Sequence, residues 1–205
     1  MFSYFYIYKK KMIKNPHYFR FVTFVSLYMA CIGLSYSQVT FQAVYGEENV
    51  EEIYSVKQTS DGGYILAGYT QSFGSINPHA FVVKTDYKGF LQWSKIFDVN
   101  GFTVFSDVIQ SDRDFVLVGY IIDNASNDYE AYLIKIDSNG KKKWSKTFGG
   151  VNYDYGLRVQ KTSDGGYALF GGTENPGIDS DIFLIKTDSN GNLLWSKTYG
   201  STYFF

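Results

Sequence analysis

From residue 51 onward, short apolar runs alternate with clusters of glycine, asparagine, aspartate and serine, and the runs come in groups of four. In the first group Ile53 to Gln58 predicts a strand, and Thr59-Ser60-Asp61-Gly62-Gly63 follows as turn chemistry, Asp-Gly offering the positive φ of a tight primed hairpin turn. Tyr64 to Tyr69 predicts the second strand. A longer loop with Gly74, Asn77 and Pro78 leads to Ala80 to Thr85, whose Val and Phe content suits a pleated, packed surface. Asp86 to Gly89 turns the chain again, and Leu91 to Phe97 returns as the fourth strand. The second group is Ser106 to Gln110, Phe115 to Tyr120, Ala131 to Ile136 and Lys142 to Phe148; the third is Gly156 to Lys161, Tyr167 to Gly172, Ile182 to Thr187 and Leu193 to Tyr199. The third strands (Phe81-Val82-Val83, Tyr132-Leu133-Ile134, Phe183-Leu184-Ile185) are apolar at successive positions, as expected of sheets covered on both faces.

The groups keep a fixed period. DSNGKKKW at Asp137 to Trp144 recurs fifty-one residues upstream as DYKGFLQW (Asp86 to Trp93) and fifty-one downstream as DSNGNLLW (Asp188 to Trp195), so all three tryptophans share one register. Four antiparallel strands at that spacing predict β-propeller blades. The expected fold is all-β, a β-propeller-like array of four-stranded antiparallel blades over residues 51–98, 99–149 and 150–200, with about three blades present and the ring incomplete. Gly68, Gly119 and Gly171 share a register of the second strand, which predicts either close approach of a neighbouring sheet or a bulge. The middle unit departs from its neighbours: Asp112-Arg113-Asp114 replaces Asp-Gly-Gly. A non-glycine residue at positive φ costs roughly 1 kcal/mol, so another turn type is expected there.

Residues 39–46 align with a fourth strand without its tryptophan and are expected to form a lone outer strand. About 3.3 periods fit in residues 38–205, whereas propellers have roughly four to eight blades. The sequence therefore reads as a truncated fragment of a longer protein whose uncovered blade faces promote self-association.

Composition and charge sharpen the picture at the N-terminus. Residues 1–37 carry Lys9, Lys10, Lys11, Lys14 and Arg20 and no acid, which leaves 14 basic against 20 acidic side chains in the rest, a net charge of −6. Nucleic acid is a poor partner for such a surface. The basic stretch, the apolar run Phe21 to Leu34 and Ser35-Tyr36-Ser37 together predict a signal peptide over 1–37, cleaved after Ser37, with Met12 an alternative start. The apolar run is shorter than the roughly 20 residues that span a bilayer, so no membrane span is expected in the mature chain, which would be secreted or cell-surface. Cys31 follows Leu27-Tyr28-Met29-Ala30; Tyr28 stands where a lipoprotein box takes a small or aliphatic residue, so lipidation is not expected. Cleavage leaves no cysteine for disulfides or thiolate sites.

The DxxGxxxW element with its preceding strand resembles the tryptophan-bearing blade motif of pyrroloquinoline-quinone dehydrogenase propellers. The resemblance implies a structural indole laid against the adjacent blade and a turn shaped by Asp and Gly. TSDGGY (59–64 and 162–167), LIKTDSNG (184–191) and LWSKTYG (194–200) are similar to tandem repeats of secreted and cell-surface proteins of bacteria and archaea, some named bulb-lectin-like or parts of polysaccharide-active proteins. This resemblance covers about 160 residues and implies no reaction.

No catalytic constellation emerges. Asp188-Ser189-Asn190-Gly191-Asn192 lacks the Gly and Glu of a calcium loop, with Leu193 and Tyr199 in their places, and reads as a hairpin turn. His17 lies in the leader and His79 stands alone, so no triad or metal cluster is expected. Glu47, Glu48, Glu51 and Glu52 could pair as in glycoside hydrolysis, but they have no counterpart in the other units and read as a solvated loop. Lys141-Lys142-Lys143 reads as charge guarding a sheet edge. Tyrosines at repeat-locked positions read first as inter-blade core and second as platforms for sugar rings; the mannose-lectin signature QxDxNxVxY is absent. No catalytic, cofactor or metal residue is assigned. The expected function is a non-catalytic extracellular module for a protein or glycan partner, the alternative being the propeller portion of a secreted polysaccharide-active enzyme.

Overall fold

The computed structural model describes residues 42–46, 49–72, 77–99, 101–122, 128–150, 153–174 and 180–200. The chain divides into two compact units, Met1–Thr40 and Phe41–Phe205. The first unit, with the expected signal peptide, Met12, His17 and Cys31, lies outside the described residues, as do Glu47, Glu48 and Gly74.

Every regular element among the described residues is a strand, so none of them forms a helix long and apolar enough to cross a membrane. The twelve strands are β1 (Glu51–Gln58), β2 (Tyr64–Thr70), β3 (His79–Thr85), β4 (Leu91–Phe97), β5 (Thr103–Ser111), β6 (Asp114–Ile122), β7 (Tyr129–Ile136), β8 (Lys142–Phe148), β9 (Tyr153–Lys161), β10 (Tyr167–Glu174), β11 (Ser180–Thr187) and β12 (Leu193–Tyr199). They form three antiparallel meanders in sequence order: sheet 1 is β1 to β4, sheet 2 is β5 to β8 and sheet 3 is β9 to β12. The fourth strands have the bounds read from the sequence. The first strands begin two or three residues earlier, and the reason is a bulge. In β1 the pairing with β2 slips between Ile53 and Ser55, in β5 between Phe105 and Asp107, and in β9 an extra Leu157 stands between Gly156 and Arg158. The extra residue reverses the in-out alternation, so the period-two pattern that marks the strand ends there.

The bulge also explains the register of Gly68, Gly119 and Gly171. A Cβ at these positions would overlap the carbonyl oxygens of Glu52, Val104 and Tyr155, each on the first strand of the same sheet. Of the two readings open from sequence, the bulge holds.

The sheets stack face to face, with β5 lying against both β1 and β9. The residues that meet differ in size. Sheet 1 presents Ile65, Ala67, Ala80 and Val82 to Phe105, Phe115, Leu117, Tyr132 and Ile134 of sheet 2. On its other face sheet 2 presents Val116, Val118, Ala131 and Leu133 to Tyr167, Leu169, Phe183 and Ile185 of sheet 3. A small trailing face thus meets a large leading face at both joints, the interdigitation that close-packed cores require. Each joint is closed at its outer end by a tryptophan. Trp93 donates its indole N–H to the Ser138 carbonyl at 3.0 Å and lies so close to Gly140 that a Cβ there would sit 3.1 Å from the ring. Trp144 lies the same way over Gly191. At the inner end Asp107, 4% exposed, accepts from the Ser55 hydroxyl of sheet 1 at 2.7 Å and from the Val159 N–H of sheet 3 at 3.3 Å, tying three first strands together.

Residues 42–46, the described part of the expected lone outer strand, pair with none of the twelve strands. Tyr45 nevertheless donates its hydroxyl to the Gly89 carbonyl of sheet 1, at the kind of turn that Trp93 and Trp144 cover in the other sheets.

Candidate functional site

Each sheet has two unlike edges. One carries the tight turns, and their carboxylates are spent on holding the chain. In sheet 1 Asp61 accepts from the Thr59 hydroxyl, from the Gly63 N–H at 3.0 Å and from Lys84 Nζ at 2.9 Å, and Lys84 is 4% exposed. Sheet 3 repeats the set with Thr162, Asp164, Gly166 and Lys186. These bonds, led by the Thr59 hydroxyl, lower the Asp61 pKa to about 2; Asp164 is lowered as well, Lys186 being the first cause. The primed turn expected at Asp-Gly is not what forms. Among the turn residues only Gly62 and Gly165 take positive φ, and Gly62 N–H bonds to the Thr59 carbonyl, which is a three-residue hairpin closed by a left-handed glycine. In sheet 2 the turn shortens to Asp112-Arg113 and Asp112 takes φ 60°. Asp114 then meets the third-strand lysine, Lys135, at 3.4 Å, and Lys143 at 2.7 Å. Asp86, Asp137 and Asp188 each accept from two backbone N–H groups of their own turn, so the Asp188 segment is a hairpin turn as read from sequence.

The opposite edge, where the longer loops leave, is aromatic. Tyr69 and Tyr120 lie near the ends of their second strands in one register; Phe102, Tyr129 and Tyr153 stand at or just before the beginnings of first and third strands, and Tyr54 and Tyr155 lie a few residues into β1 and β9. Tyr120 meets Tyr155 edge-on at 5.2 Å and Tyr129 edge-on at 5.5 Å; Tyr129 also lies 5.3 Å from both Tyr153 and Tyr155, and Tyr54 lies 5.9 Å from Tyr69. Unlike the buried Tyr132 and Tyr167, these rings are half-buried or, at Tyr54, 48% exposed. The bulges bring Tyr54, Ser106 and Leu157 out of the three first strands, and with Tyr120 and Arg158 they line an open cleft of about 260 Å³. Loss of solvation raises the phenol pKa of Tyr54, Tyr69, Tyr120 and Tyr155. Glu52, which accepts from Tyr54 at 2.8 Å, raises Tyr54 and Tyr69 further, and Glu174 helps push Tyr155 up to about 12. The phenols therefore remain hydrogen-bond donors well above neutrality.

This arrangement has a pH consequence. Because the folded-state values lie above the ordinary value near 10, the unfolded chain ionises first. Stability is fully present below about pH 10 and falls as the pH rises from there through about 12. Titration followed by tyrosinate absorbance and circular dichroism is expected to show delayed ionisation, with the loss of β-structure and the late tyrosines titrating together.

The other residues weighed from sequence are apart from this cleft or tied elsewhere. Glu51 accepts from the hydroxyls of Thr70 at 2.7 Å and Ser72 at 2.5 Å, and Glu52 from Tyr54, so the two carboxylates serve different partners. His79 Nε2 stands 3.9 Å from Asp98. Lys143 is an ion-pair partner within its own sheet rather than a bare edge charge, while Lys142 is exposed. Among the described residues no three His, Cys, Asp or Glu side chains gather as a metal site. The cleft residues were reachable from sequence only through the bulge, which moves Tyr54 out of strand alternation. No protein-family profile and no curated protein matches the chain.

Proposed function

We propose that the chain is a non-catalytic extracellular module of β-propeller type, and that its loop-side edge binds a glycan. Three consecutive meanders, stacked with their first strands together and their tryptophans on the neighbouring turn, support the propeller reading. The basic, then apolar, then small-residue leader in the sequence supports secretion.

The observation that carries the ligand reading is the half-exposed tyrosine cleft. Tyrosine rings offer flat apolar faces at low cost in side-chain entropy, with a donor at the tip. Here the donors stay protonated, Glu52 and Glu174 supply acceptors nearby, and Arg158 supplies a cation at the rim. That is the equipment for a ring with one apolar face and a girdle of hydroxyls. A volume of about 260 Å³ is below the roughly 300–1,000 Å³ of drug-sized pockets, so it suits one sugar unit or the end of a chain.

Glycan-array screening of the full chain, followed by calorimetry with the best hit, tests this. Tyr54→Ala and Tyr120→Ala are each expected to weaken binding roughly 2- to 10-fold, while Tyr87→Ala, an exposed residue on the turn edge, leaves it unchanged. Binding to a cell-surface protein with no glycan binding would replace the glycan by a protein partner, and silence toward both would remove the ligand reading.

A further inference from the structure

The joint between sheets 2 and 3 uses the same registers as the joint between sheets 1 and 2, yet it is hollow where the other is filled. Val99, Ile121 and Tyr132 pack into the first joint. Gly150, Thr173 and Phe183 stand at the same registers in the second. One side chain is gone, one is smaller and polar, and one has lost its hydroxyl. The second joint holds a cavity of about 380 Å³, within the roughly 300–1,000 Å³ of small-molecule sites. Thr147, Thr173, Ser196 and Thr198 line it together with Asp154, over apolar walls that include Phe148 and Phe183. Ser196 and Thr198 lie on β12, which is exposed along its length, so the cavity is reached from the outer edge.

Asp154 indicates what the cavity is built to hold. At its register sheet 2 has Thr103, a neutral hydroxyl that accepts from the Val99 N–H at 3.0 Å and donates to the Val99 carbonyl at 3.2 Å. Asp154 is 8% exposed, and among the described residues it accepts from the Gly150 N–H at 3.1 Å and from the Thr173 hydroxyl. Two aspartates are buried among the described residues. Asp107 has Lys57 Nζ at 3.6 Å, whereas Asp154 has no ion-pair partner there. Residues 123–127, 151–152 and 175–179 include no lysine or arginine either. Burial raises the Asp154 pKa, and the charge of Asp128 raises it further. A buried carboxylate is costly until a cation and hydrogen-bond donors meet it.

We propose that this cavity binds a small organic cation, its ammonium head donating to the Asp154 carboxylate and to the cavity hydroxyls, its carbon body lying against Phe148 and Phe183. An ammonium brings three donors and the missing charge together. A hard metal ion fits less well, because it takes about six to eight oxygen ligands, and no second carboxylate lines the cavity among the described residues. An uncharged sugar would leave the carboxylate without a counter-charge. The tyrosine cleft shares no lining residue with this cavity, so neither reading rests on the other.

Titration of the full chain with n-butylammonium and with 1-butanol, two probes of one shape that differ in charge, tests the proposal by nuclear magnetic resonance. The ammonium is expected to bind with a Kd of roughly 1 mM, as suits so small a molecule, and to shift the amides of Gly150, Asp154 and Thr173. Butanol is expected to bind at least about 10-fold more weakly. Asp154→Asn keeps the shape and both hydrogen bonds but removes the charge, and is expected to weaken the ammonium roughly 10- to 100-fold. Thr173→Ile copies the residue of the first joint, fills the cavity and is expected to weaken both probes at least about 10-fold with an unchanged circular dichroism spectrum. Equal binding of the two probes, shifts that bypass Gly150 and Thr173, binding indifferent to Asp154→Asn, or no binding of the ammonium would each overturn the proposal.

Discussion

Replacing Gly119 by alanine is expected to destabilise the protein by about 3 kcal/mol or more. The added Cβ would overlap the Val104 carbonyl oxygen and lie 2.8 Å from Phe105 Cα. Both are backbone atoms of the bulge in β5, so no side-chain rotation relieves the clash. Sheet 2 lies between the other two sheets, and moving β5 outward would disturb β1 and β9 together. The control is Gly150→Ala, where a Cβ meets nothing within 4 Å and the backbone needs no positive φ; that change is expected to stay within about 0.5 kcal/mol. Chemical denaturation of both variants checks the contrast. Equal midpoints would mean that the bulge is not the reason for glycine at this register.

Phe105→Ala is expected to cost about 3–5 kcal/mol. The side chain is fully buried at the joint of sheets 1 and 2, with its ring edge-on to Phe97 at 5.6 Å and stacked on Tyr132 at 6.2 Å with an interplanar angle of 5°. Removing it deletes contacts to two sheets at once and leaves a cavity between them. Phe105→Leu retains most of the volume and is expected to recover more than half of the loss. Phe90→Ala removes an equal ring that is 68% exposed on a turn, and is expected to be near neutral. Thermal or denaturant unfolding of the three variants would show a ranking by burial. If Phe90 and Phe105 cost alike, the joint contributes less than its packing indicates.

Much of this architecture was legible before any coordinates because the period is carried by residues with a mechanical role. Trp93 and Trp144 recur because each covers the turn of the next sheet, and Gly140 and Gly191 recur because the turn holds them at positive φ and the indole leaves no room for a Cβ. The apolar third strands announced two-sided burial, and β7, buried at Ala131 to Ile134 with neighbours on both sides, shows why. The starts of the first strands were not legible, since the bulge reverses alternation at Tyr54, Ser106 and Leu157. The turn at Asp61-Gly62 was read as primed because Asp-Gly permits it; Asp61 keeps a negative φ, and the Thr59 hydroxyl and Lys84 that hold its carboxylate act through space and across strands. The tyrosine cleft was hidden for a related reason. Tyr69 and Tyr120 share a register with each other, but their partners Tyr54, Tyr129 and Tyr155 come from strands whose phase no single period describes.

The stacking of each tryptophan on the turn of the following sheet is tested most directly by the proton shifts of Gly140 and Gly191. With an indole face where a Cβ would be, both glycines are expected to show α-protons displaced upfield by the ring current, with nuclear Overhauser contacts from Gly140 to Trp93 and from Gly191 to Trp144. Trp93→Phe should then shift Gly140 and leave Gly191 in place. Undisplaced glycine protons, or two glycines that answer to the same tryptophan, would contradict the order in which these sheets are stacked.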